Sequence, residues 1–279
     1  MLLGPAEINQ LLKKLDVIPT KKLGQNFLHD GNIVRKIVRT AELNSSDVVL
    51  EIGPGLGSLT LGLLPEVKKV IAVDIDPRFT NQLPDTIAHY APEVSSHLEV
   101  INKDALTLSD ADFSEMPTVL VSNLPYNVSV PVLITVLSNF SSIEKFLVMV
   151  QSEVADRLAA GPGNPSYGAP SVKLQWFMHV SRGADIPRPV FIPVPNVDSA
   201  LVLGVRKSPP QTKVSREQVF RVIDAAFNQR RKMLRSALSS IVGSSVAAES
   251  ALVKADIDPK LRGESLDINQ FVRLTEALN

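Results

Sequence analysis

The sequence predicts a doubly wound α/β domain followed by a small helical domain, and two patterns along the chain support this fold class. In the first half, short apolar runs rich in β-branched residues alternate with segments of helical periodicity. Strands that are buried on both faces have this composition and length, and we interpret five runs as parallel strands: 47–52, 68–74, 97–101, 117–122 and 144–150. The helices predicted between them are 57–65, 77–90, 129–139 and 151–160. This alternation is typical of a parallel sheet covered by helices on both faces.

The second pattern begins at the Ser-Pro-Pro-Gln stretch 208–211, after which every predicted element is a helix. These helices are expected at 215–228, 231–241, 245–255 and 267–278. We therefore assign 1–207 to the α/β domain and 208–279 to an all-helical C-terminal domain. Within the first domain, 160–170 is interpreted as a Gly/Pro-rich loop, and 185–206 as a proline-rich loop that ends in a strand.

Composition excludes several classes of protein. The 279 residues are 44% hydrophobic, which supports a substantial core, and they include no cysteine, which excludes disulfides and thiolate metal sites. The four histidines lack metal-ligand spacing, so we expect no metal. The N-terminus lacks a secretory pattern, and no window of about 18 residues is continuously apolar. We expect a cytoplasmic protein that does not enter a membrane.

Charge is balanced overall, at 29 basic and 29 acidic residues, but it is unevenly distributed. Residues 13–39 contain seven Lys/Arg and two Asp, and residues 216–235 contain six Lys/Arg and two acids. Such segments are either ordinary solvated helix faces or surfaces for nucleic-acid phosphates. The tightest cluster is Arg230, Arg231, Lys232 and Arg235, and we expect it to lie on a helix that places Arg231 and Arg235 on one face.

A glycine-rich loop follows the first strong strand and opens a predicted helix. It reads Glu-Ile-Gly-Pro-Gly-Leu-Gly over 51–57, and Gly53 and Gly55 allow a tight turn and close approach of a ligand to the backbone. The dinucleotide fingerprint G-x-G-x-x-G is not met, because Ser58 stands where its third glycine belongs. The loop alone leaves several nucleotide-binding classes open.

Two carboxylates narrow the choice of ligand. Asp74 ends the second strand, 21 residues after Gly53, where a carboxylate can bind both hydroxyls of a ribose. Asp104 follows the third strand, where it could accept a hydrogen bond from an adenine amino group. Each aspartate alone could be a helix cap or turn residue. Together with the glycine loop they predict a pocket for an adenosine ligand, and S-adenosylmethionine suits the incomplete phosphate fingerprint because it carries no phosphate.

The segment Asn123-Leu124-Pro125-Tyr126 follows the fourth strand at the same sheet edge. The Asn123 side-chain oxygen and the Leu124 carbonyl could accept the two N–H groups of an adenine N6 amine. That arrangement favours a tetrahedral nitrogen whose lone pair points at a methyl donor, and no strong base is needed. Tyr126 could stack on a base turned out of its helix. A plain strand-ending turn is the alternative, since Asn and Pro both favour turns.

Taken together, these motifs resemble the ribosomal RNA adenine dimethyltransferases, most closely their bacterial small-subunit members. The resemblance covers roughly 15–275 and rests on the 21–28 segment, the glycine loop, Asn-Leu-Pro-Tyr-Asn, and the motifs at 191–199, 227–234 and 258–266. It implies a Rossmann-like class I methyltransferase sheet that uses S-adenosylmethionine. The implied substrate is two adjacent adenosines, dimethylated at N6, in a hairpin loop near the 3′ end of 16S rRNA within the small ribosomal subunit or its precursor.

The same resemblance implies roles for individual residues. The implied cofactor contacts are Asn26, Leu28, Gly53, Asp74 and Asp104, with Asn123 close by. The target base is held by Asn123 and Tyr126, with Phe191 as a second stacking face. We add Gly55 and Asn123 to the cofactor set, and Leu124 and Pro125 to the reaction motif. Arg230 and Arg231 are our candidates for RNA contact, the C-terminal domain for ribosome docking, and a monomer for the active form.

Three other functions stay open on the sequence alone. A methyltransferase acting on 23S rRNA shares the chemistry, although the helical C-terminal motifs favour the small-subunit group. A DNA adenine methyltransferase usually has a second proline where Leu124 stands. A non-catalytic RNA-binding assembly factor on the same fold is the alternative of a different class, because fold does not prove activity.

Overall fold

The chain is described by a computed structural model over residues 1–19, 25–229 and 231–279. Its strands within these ranges are β1 (Phe27–Leu28), β2 (Val48–Ile52), β3 (Lys69–Asp74), β4 (Leu98–Asn102), β5 (Val119–Asn123), β6 (Lys145–Gln151), β7 (Met178–Ile186), β8 (Phe191–Ile192) and β9 (Ser199–Arg206). Within the same ranges, no helix combines the length and the apolar content needed to span a bilayer.

The helices are spread over the whole described chain. They are α1 (Pro5–Lys14), α2 (Gly31–Thr40), α3 (Ser58–Leu63), α4 (Pro77–Tyr90), α5 (Ser129–Asn139), α6 (Ser152–Ala159), α7 (Ala169–Leu174), α8 (Arg216–Asn228), α9 (Leu234–Ala237), α10 (Ser239–Val242), α11 (Ser245–Lys254) and α12 (Ile268–Leu278).

The main sheet has the strand order β4-β3-β2-β5-β6-β9-β7. The pairs β4–β3, β3–β2, β2–β5 and β5–β6 are parallel, and β9 runs antiparallel to β6. From β2 the chain builds the sheet first toward β4 and then, starting with β5, toward the other edge. Ligands bind at such a switch point in open sheets of this kind. The predicted doubly wound class is confirmed, and each of the five predicted strands lies within two residues of its observed bounds.

Burial explains why these runs form central strands. All five residues of β2 are buried, and in β5 only the last residue, Asn123, is partly exposed. A strand covered on both faces keeps its apolar side chains from water on either side, and this favours Val, Ile and Leu throughout. Polar side chains are therefore concentrated at the strand ends, where the loops leave the sheet.

A second, two-stranded pairing involves the N-terminal segment. Phe27 and Leu28 in β1 pair antiparallel with Ile192 and Phe191 in β8. The pairing continues through the His29 N–H, which donates to the Val190 carbonyl at 3.0 Å. This pairing joins residues more than 160 positions apart, and it holds the N-terminal segment against the strand that follows β7. Sequence periodicity contains no signal for it.

The chain divides into two compact units. The first comprises Met1–Ala155 and Ser181–Arg206, and the second comprises Asp156–Val180 and Lys207–Asn279. The predicted boundary after 207 lies one residue from the 206/207 junction. The stretch 156–180, which the sequence analysis assigns to the α/β domain, groups instead with the C-terminal helices.

Contacts inside the second unit account for that grouping. The fully buried Tyr167 donates its hydroxyl hydrogen to the Leu266 carbonyl at 2.9 Å. The rings of Phe177 and Phe220 meet edge to face with centroids 6.1 Å apart. An aromatic pair and a buried hydrogen bond of this kind favour packing of 156–180 on the helices.

The expected helix over 231–241 is wrong. Arg231 and Lys232 lie in a turn, α9 begins only at Leu234, and a break at Leu238 separates it from α10. The reason is a competing set of hydrogen bonds: the Leu234 N–H donates to the Leu261 carbonyl at 2.7 Å, and the Arg235 N–H to the Pro259 carbonyl at 3.4 Å. Arg231 and Arg235 therefore do not share a helical face.

The Tyr167 hydrogen bond makes a stability prediction. Tyr167→Phe keeps the ring but leaves the Leu266 carbonyl without its buried donor, so we expect a loss of about 1–3 kcal/mol in the free energy of unfolding. Urea denaturation measures it. Tyr90→Phe, at a half-buried tyrosine, is the matched control and should change stability by less than about 0.5 kcal/mol. Equal stability of the two variants would remove the hydroxyl from our account of the second unit.

Candidate functional site

A cavity of about 560 Å³ lies in the first unit, at the carboxyl ends of β2, β3 and β5 and beside β4. Its volume is within the usual range of about 300–1,000 Å³ for small-molecule sites. The walls are formed by the segment before and through β1 and by the loops that leave four neighbouring strands. All of the predicted cofactor and reaction residues line it: Asn26, Leu28, Gly53, Gly55, Asp74, Asp104, Asn123, Leu124, Pro125 and Tyr126.

The floor of the cavity is the glycine loop after β2. Gly53 has a φ of +71°, and its N–H donates to the Val73 carbonyl at 2.8 Å, which fixes the loop onto β3. A Cβ atom added at Gly53 would lie 3.3 Å from the Pro125 ring. A side chain here would thus be strained by the backbone and crowded by the Asn-Leu-Pro-Tyr loop. Glycine keeps the gap between the two loops open.

Asp74 ends β3 with its carboxylate in the cavity wall. Its Oδ1 accepts the Asp76 N–H at 2.9 Å. Burial raises the pKa of Asp74, while hydrogen bonds from the backbone N–H groups of Asp76, Gly55 and Ile75 act in the opposite direction. Backbone donors thus partly offset the cost of burying this charge, and a ligand with hydroxyl donors would offset it further.

Asp104 has a local structural role as well as a place in the cavity. Its Oδ1 accepts the Leu106 N–H at 2.9 Å and so caps a short 3-10 turn. Asp104 therefore does act as a cap, the alternative role that the sequence analysis considered. The cap uses one carboxylate oxygen and leaves the second for other partners. Two large apolar side chains in the cavity wall are unusually exposed, Ile75 at 69% and Leu106 at 40%. Together they offer a flat apolar ligand two surfaces that water otherwise covers.

Asn123 is oriented by the N-terminal segment. Its side-chain Nδ2 donates to the Asn26 carbonyl at 3.3 Å, across 97 residues of sequence. This bond uses the donor end of the amide, so the side-chain Oδ1 is the end that can accept hydrogen bonds from a ligand. The next residue, Leu124, is fixed by its N–H, which donates to the Met149 carbonyl at 3.1 Å. Hydrogen bonds thus fix the groups that carry both acceptors proposed from the sequence, the Asn123 side-chain amide and the Leu124 backbone.

Tyr126 follows in a turn closed by the Val128 N–H and the Pro125 carbonyl at 3.2 Å. The ring is half-buried and lines the cavity, and its hydroxyl oxygen lies 2.7 Å from the Ser199 Oγ. Burial raises the pKa of Tyr126, and the Ser199 hydrogen bond opposes that shift. The phenol is therefore neutral at physiological pH.

Glu51 is an acidic residue that the sequence analysis did not single out. It is the fourth residue of the fully buried β2, only 1% exposed, and it lines the cavity. Its Oε2 accepts the Thr60 hydroxyl hydrogen at 2.7 Å. Burial, assisted by the nearby charge of Asp74, raises the pKa of Glu51 to about 8, and the Thr60 bond limits the rise. The available signal was a lone acid inside an otherwise apolar strand.

Two predicted site residues, Phe191 and Arg231, do not line the cavity. Phe191 is fully buried in the hydrophobic core of the first unit, and a ring without exposed surface cannot stack on a base in this conformation. Its backbone instead pairs with Leu28 and so supports the cavity wall. Arg231 is exposed in the second unit and does not line the cavity. Arg230 lies outside the described residues, as does the 20–24 part of the N-terminal motif.

Comparison with known proteins identifies the family of the chain. The family described as ribosomal RNA adenine dimethylase matches residues 19–279. The chain belongs to the ribosomal RNA adenine dimethylase family. The ribosomal RNA small subunit methyltransferase A of Corynebacterium efficiens is 56% identical to this dimethylase over 98% of the chain and 95% of its own length. The protein of the same description from Thermobifida fusca is 54% identical over 99% and 96%.

Solved structures agree with the family at the level of the fold. A dimethyladenosine transferase from Plasmodium falciparum has a TM-score of 0.73 and 26% identity, covering 89% of this dimethylase and 95% of that chain. The 23S rRNA methyltransferase ErmE has a TM-score of 0.66 and 26% identity, covering 91% and 99%. The resemblance deduced from the sequence motifs is thereby confirmed, and the dimethylase is an enzyme that methylates ribosomal RNA.

The buried Glu51 predicts an unusual pH dependence of stability. Its pKa is about 8 in the folded protein and near 4.5 when unfolded, so the folded state binds more protons between these values. Wild-type stability therefore falls as pH rises through this window, by at most about 1.4 kcal/mol per pH unit from this group. Glu51→Gln removes the titration while retaining an acceptor for Thr60. We expect its stability relative to wild type to increase from pH 5.5 to 8 and then level off.

Urea denaturation across that pH range measures the difference. Glu66→Gln, at an exposed glutamate, is the control and should track the wild type at every pH. A constant gap between Glu51→Gln and wild type from pH 5.5 to 8.5 would show that Glu51 does not titrate in this window.

Proposed function

We propose that this dimethylase transfers methyl groups from S-adenosylmethionine to N6 of two adjacent adenosines in the 3′-terminal hairpin loop of 16S rRNA, within the small ribosomal subunit or its precursor. One observation carries the proposal. A carboxylate suited to a ribose, Asp74, and an amide acceptor oriented by the backbone, Asn123, line the same cavity. The two halves of the reaction, an adenosine-bearing donor and an adenine acceptor, thus find their binding groups at one sheet edge.

The cavity fits this cofactor. Asp74 would accept hydrogen bonds from the ribose hydroxyls. Ile75 and Leu106 would cover the faces of the adenine, and Asp104 would accept a hydrogen bond from the adenine amino group. The methionine portion would lie along Gly53 and Gly55, with Asn26 and Leu28 closing over it from the N-terminal segment. When bound, S-adenosylmethionine supplies a methyl group on a sulfonium, which is an activated leaving group.

The chain's own part in the transfer is to prepare the amine. The N6 lone pair of adenine is delocalised into its ring, which makes the nitrogen a weak nucleophile. Asn123 Oδ1 and the Leu124 carbonyl would accept hydrogen bonds from its two N–H groups, and these bonds favour a tetrahedral nitrogen. Tyr126 would support the base by stacking on it. Pro125 fixes the turn between them. Positioning of this kind supplies up to roughly 7–11 kcal/mol of barrier lowering where alignment is good, and water can accept the proton released by the product.

A comparison of sequence identities supports the small subunit over 23S rRNA as the substrate. The relatives described as small subunit methyltransferase A are more than half identical to this chain over nearly their whole length, whereas ErmE is 26% identical. The site supports an enzyme over a non-catalytic binding factor, since the reaction motif is intact and its amide is oriented for an acceptor role. The cytoplasmic location and the monomeric state inferred from the sequence stay predictions.

A direct experiment tests the proposal. Small subunits from a strain that lacks this modification are incubated with the protein and S-adenosylmethionine carrying a labelled methyl group. Mass spectrometry of nuclease digests should then place dimethyladenosine at two adjacent positions of the 3′-terminal loop. Label in 23S rRNA of large subunits alone would favour the rival substrate, and no label in either particle would favour the binding factor.

Substitutions at the two halves of the site should affect different quantities, cofactor affinity in one case and turnover in the other. Asp74→Ala removes the ribose acceptor, so S-adenosylmethionine affinity should fall by roughly 1.5–3 kcal/mol. Asn123→Ala should leave that affinity within about twofold but lower kcat by roughly 100-fold or more, because its contact is to the target amine. Calorimetry and single-turnover methylation measure the two quantities. Asp85→Ala, at an exposed position of α4, is the control for both. Unchanged cofactor affinity in Asp74→Ala, or near-normal turnover in Asn123→Ala, would contradict the assignment.

The basic residues of the second unit are proposed to contact RNA. Arg231 and Lys232 are exposed in their turn, and Asp224, a potential partner in the sequence, pairs instead with Lys173 at 2.6 Å. Arg235 is 3.4 Å from Glu249, so part of this cluster is engaged in a surface ion pair. Such exposed pairs contribute little to stability and are readily exchanged for phosphates.

Neutralising Arg231 and Lys232 together to Ala should therefore weaken binding to small subunits. The slope of log affinity against log salt should flatten by roughly 0.7–0.9 for each phosphate that the variant no longer neutralises. Cofactor affinity and the melting temperature should stay at wild-type values. The matched control replaces Lys213 and Lys254, which are exposed elsewhere in the same unit. Wild-type affinity and salt slope in the Arg231/Lys232 variant would move the RNA surface to the 13–39 segment.

A further inference from the structure

The hydroxyl pair between Tyr126 and Ser199 lies beside the reaction motif and is not used by the chemistry described above. Ser199 is fully buried at the start of β9, and its Oγ is 2.7 Å from the Tyr126 hydroxyl oxygen, across 73 residues of sequence. A buried hydroxyl without a partner is unfavourable, so each group favours the position of the other. The bond connects the ring that faces the cavity with the antiparallel edge of the main sheet.

The two ends of this bond differ in how firmly they are held. Ser199 is paired in register with Gln151 on β6. Its neighbour Asp198 accepts the Ser152 N–H at 3.0 Å through its carbonyl and the Arg188 N–H at 2.9 Å through its carboxylate. Tyr126, in contrast, stands on a loop turn and has two rotatable side-chain bonds. Ser199 is therefore the fixed end, and the tyrosine is the end that gains order.

We infer that Ser199 is a positioning residue for the transfer reaction: by anchoring the Tyr126 hydroxyl, it holds the ring in the orientation in which a target adenine stacks. Ser199 itself is not among the described residues that line the cavity. The inference rests on the base-holding role proposed for Tyr126. It explains why a tyrosine suits this position, since phenylalanine offers the same stacking surface without an anchor.

The consequence for the reaction is a matter of orientation. An unanchored ring would spend part of its time in other rotamers, and the base would then be presented less often to the methyl donor. A single neutral hydrogen bond of this kind corresponds to about a 3- to 10-fold effect. We expect that effect on kcat, with no change in S-adenosylmethionine affinity, because Ser199 is not among the residues that line the cavity in the described chain.

A double-mutant cycle tests the anchor. Ser199→Ala and Tyr126→Phe each remove one side of the bond, and each should lower kcat on unmethylated small subunits by about 3- to 10-fold. The double variant should be no slower than the slower single variant, within about 1.5-fold, because the bond is already absent. Ser142→Ala is the matched control: it removes a part-buried serine hydroxyl that donates to the Pro117 carbonyl, also at 2.7 Å, near the opposite end of β5. It should leave kcat unchanged. Multiplying effects in the double variant, or wild-type kcat in Tyr126→Phe, would overturn the inference.

A second readout does not depend on catalysis. The chain has only three tyrosines, so 3-fluorotyrosine labelling predicts three fluorine resonances, and Tyr126→Phe identifies the one from Tyr126. Ser199→Ala should shift or broaden that resonance and leave the other two in place, while Ser142→Ala should move none. An unchanged Tyr126 resonance in Ser199→Ala would overturn the anchor even if the protein methylates a different RNA. If the wild type does not methylate small subunits but Ser199→Ala still changes the Tyr126 resonance, only the proposed function is contradicted.

Discussion

Parallel strand pairing is the constraint on which the rest of the site depends. Because β4, β3, β2 and β5 run in one direction, their carboxyl ends lie along a single edge, and each loop that leaves them is placed beside the next. Register sets the details: Asp74 is opposite Asn102, and Asn123 is opposite Met149. Side chains that are roughly 20 to 30 residues apart in sequence thus become neighbours through the sheet alone.

The edge concentrates groups that are unfavourable elsewhere in the core. Glu51 and Asp74 are two acids largely sheltered from water, and the charge of Asp74 adds to the cost of ionising Glu51. Local donors offset part of this cost: a threonine hydroxyl for Glu51 and backbone N–H groups for Asp74. A cofactor that brings positive charge and hydroxyl donors would relieve the remainder. Binding of such a cofactor would therefore be coupled to the stability of the fold.

The sequence was sufficient for features that depend on local pattern. Five strands and the helices between them follow from apolar runs and glycine or proline boundaries, and the positions of Gly53, Asp74, Asp104 and Asn123 follow from the fold rule for parallel sheets. What could not be predicted depends on partners distant in sequence. The β1–β8 pairing, the bond from Asn123 to Asn26 and the anchor at Ser199 each join segments whose separation hides them from any periodicity. Phe191 illustrates the same limit, since its motif suggested a role for the ring, but the fold buries that ring in the core.

The hydrogen bonds that delay the start of α9 have a consequence for chain length. The turn that presents Arg231 and Lys232 is shaped by the 259–261 segment, whose carbonyls accept the first N–H groups of the helix. A premature stop codon shortly before this segment would delete no basic residue of that turn and no residue of the cavity. Such a truncated protein would lack the backbone partners of α9 and also Leu266 and α12, which pack inside the second unit. The surface proposed for RNA would lose its shape together with the unit that carries it. Frameshift alleles near the 3′ end of the gene should accordingly damage the second unit, although every residue that lines the cavity is still encoded.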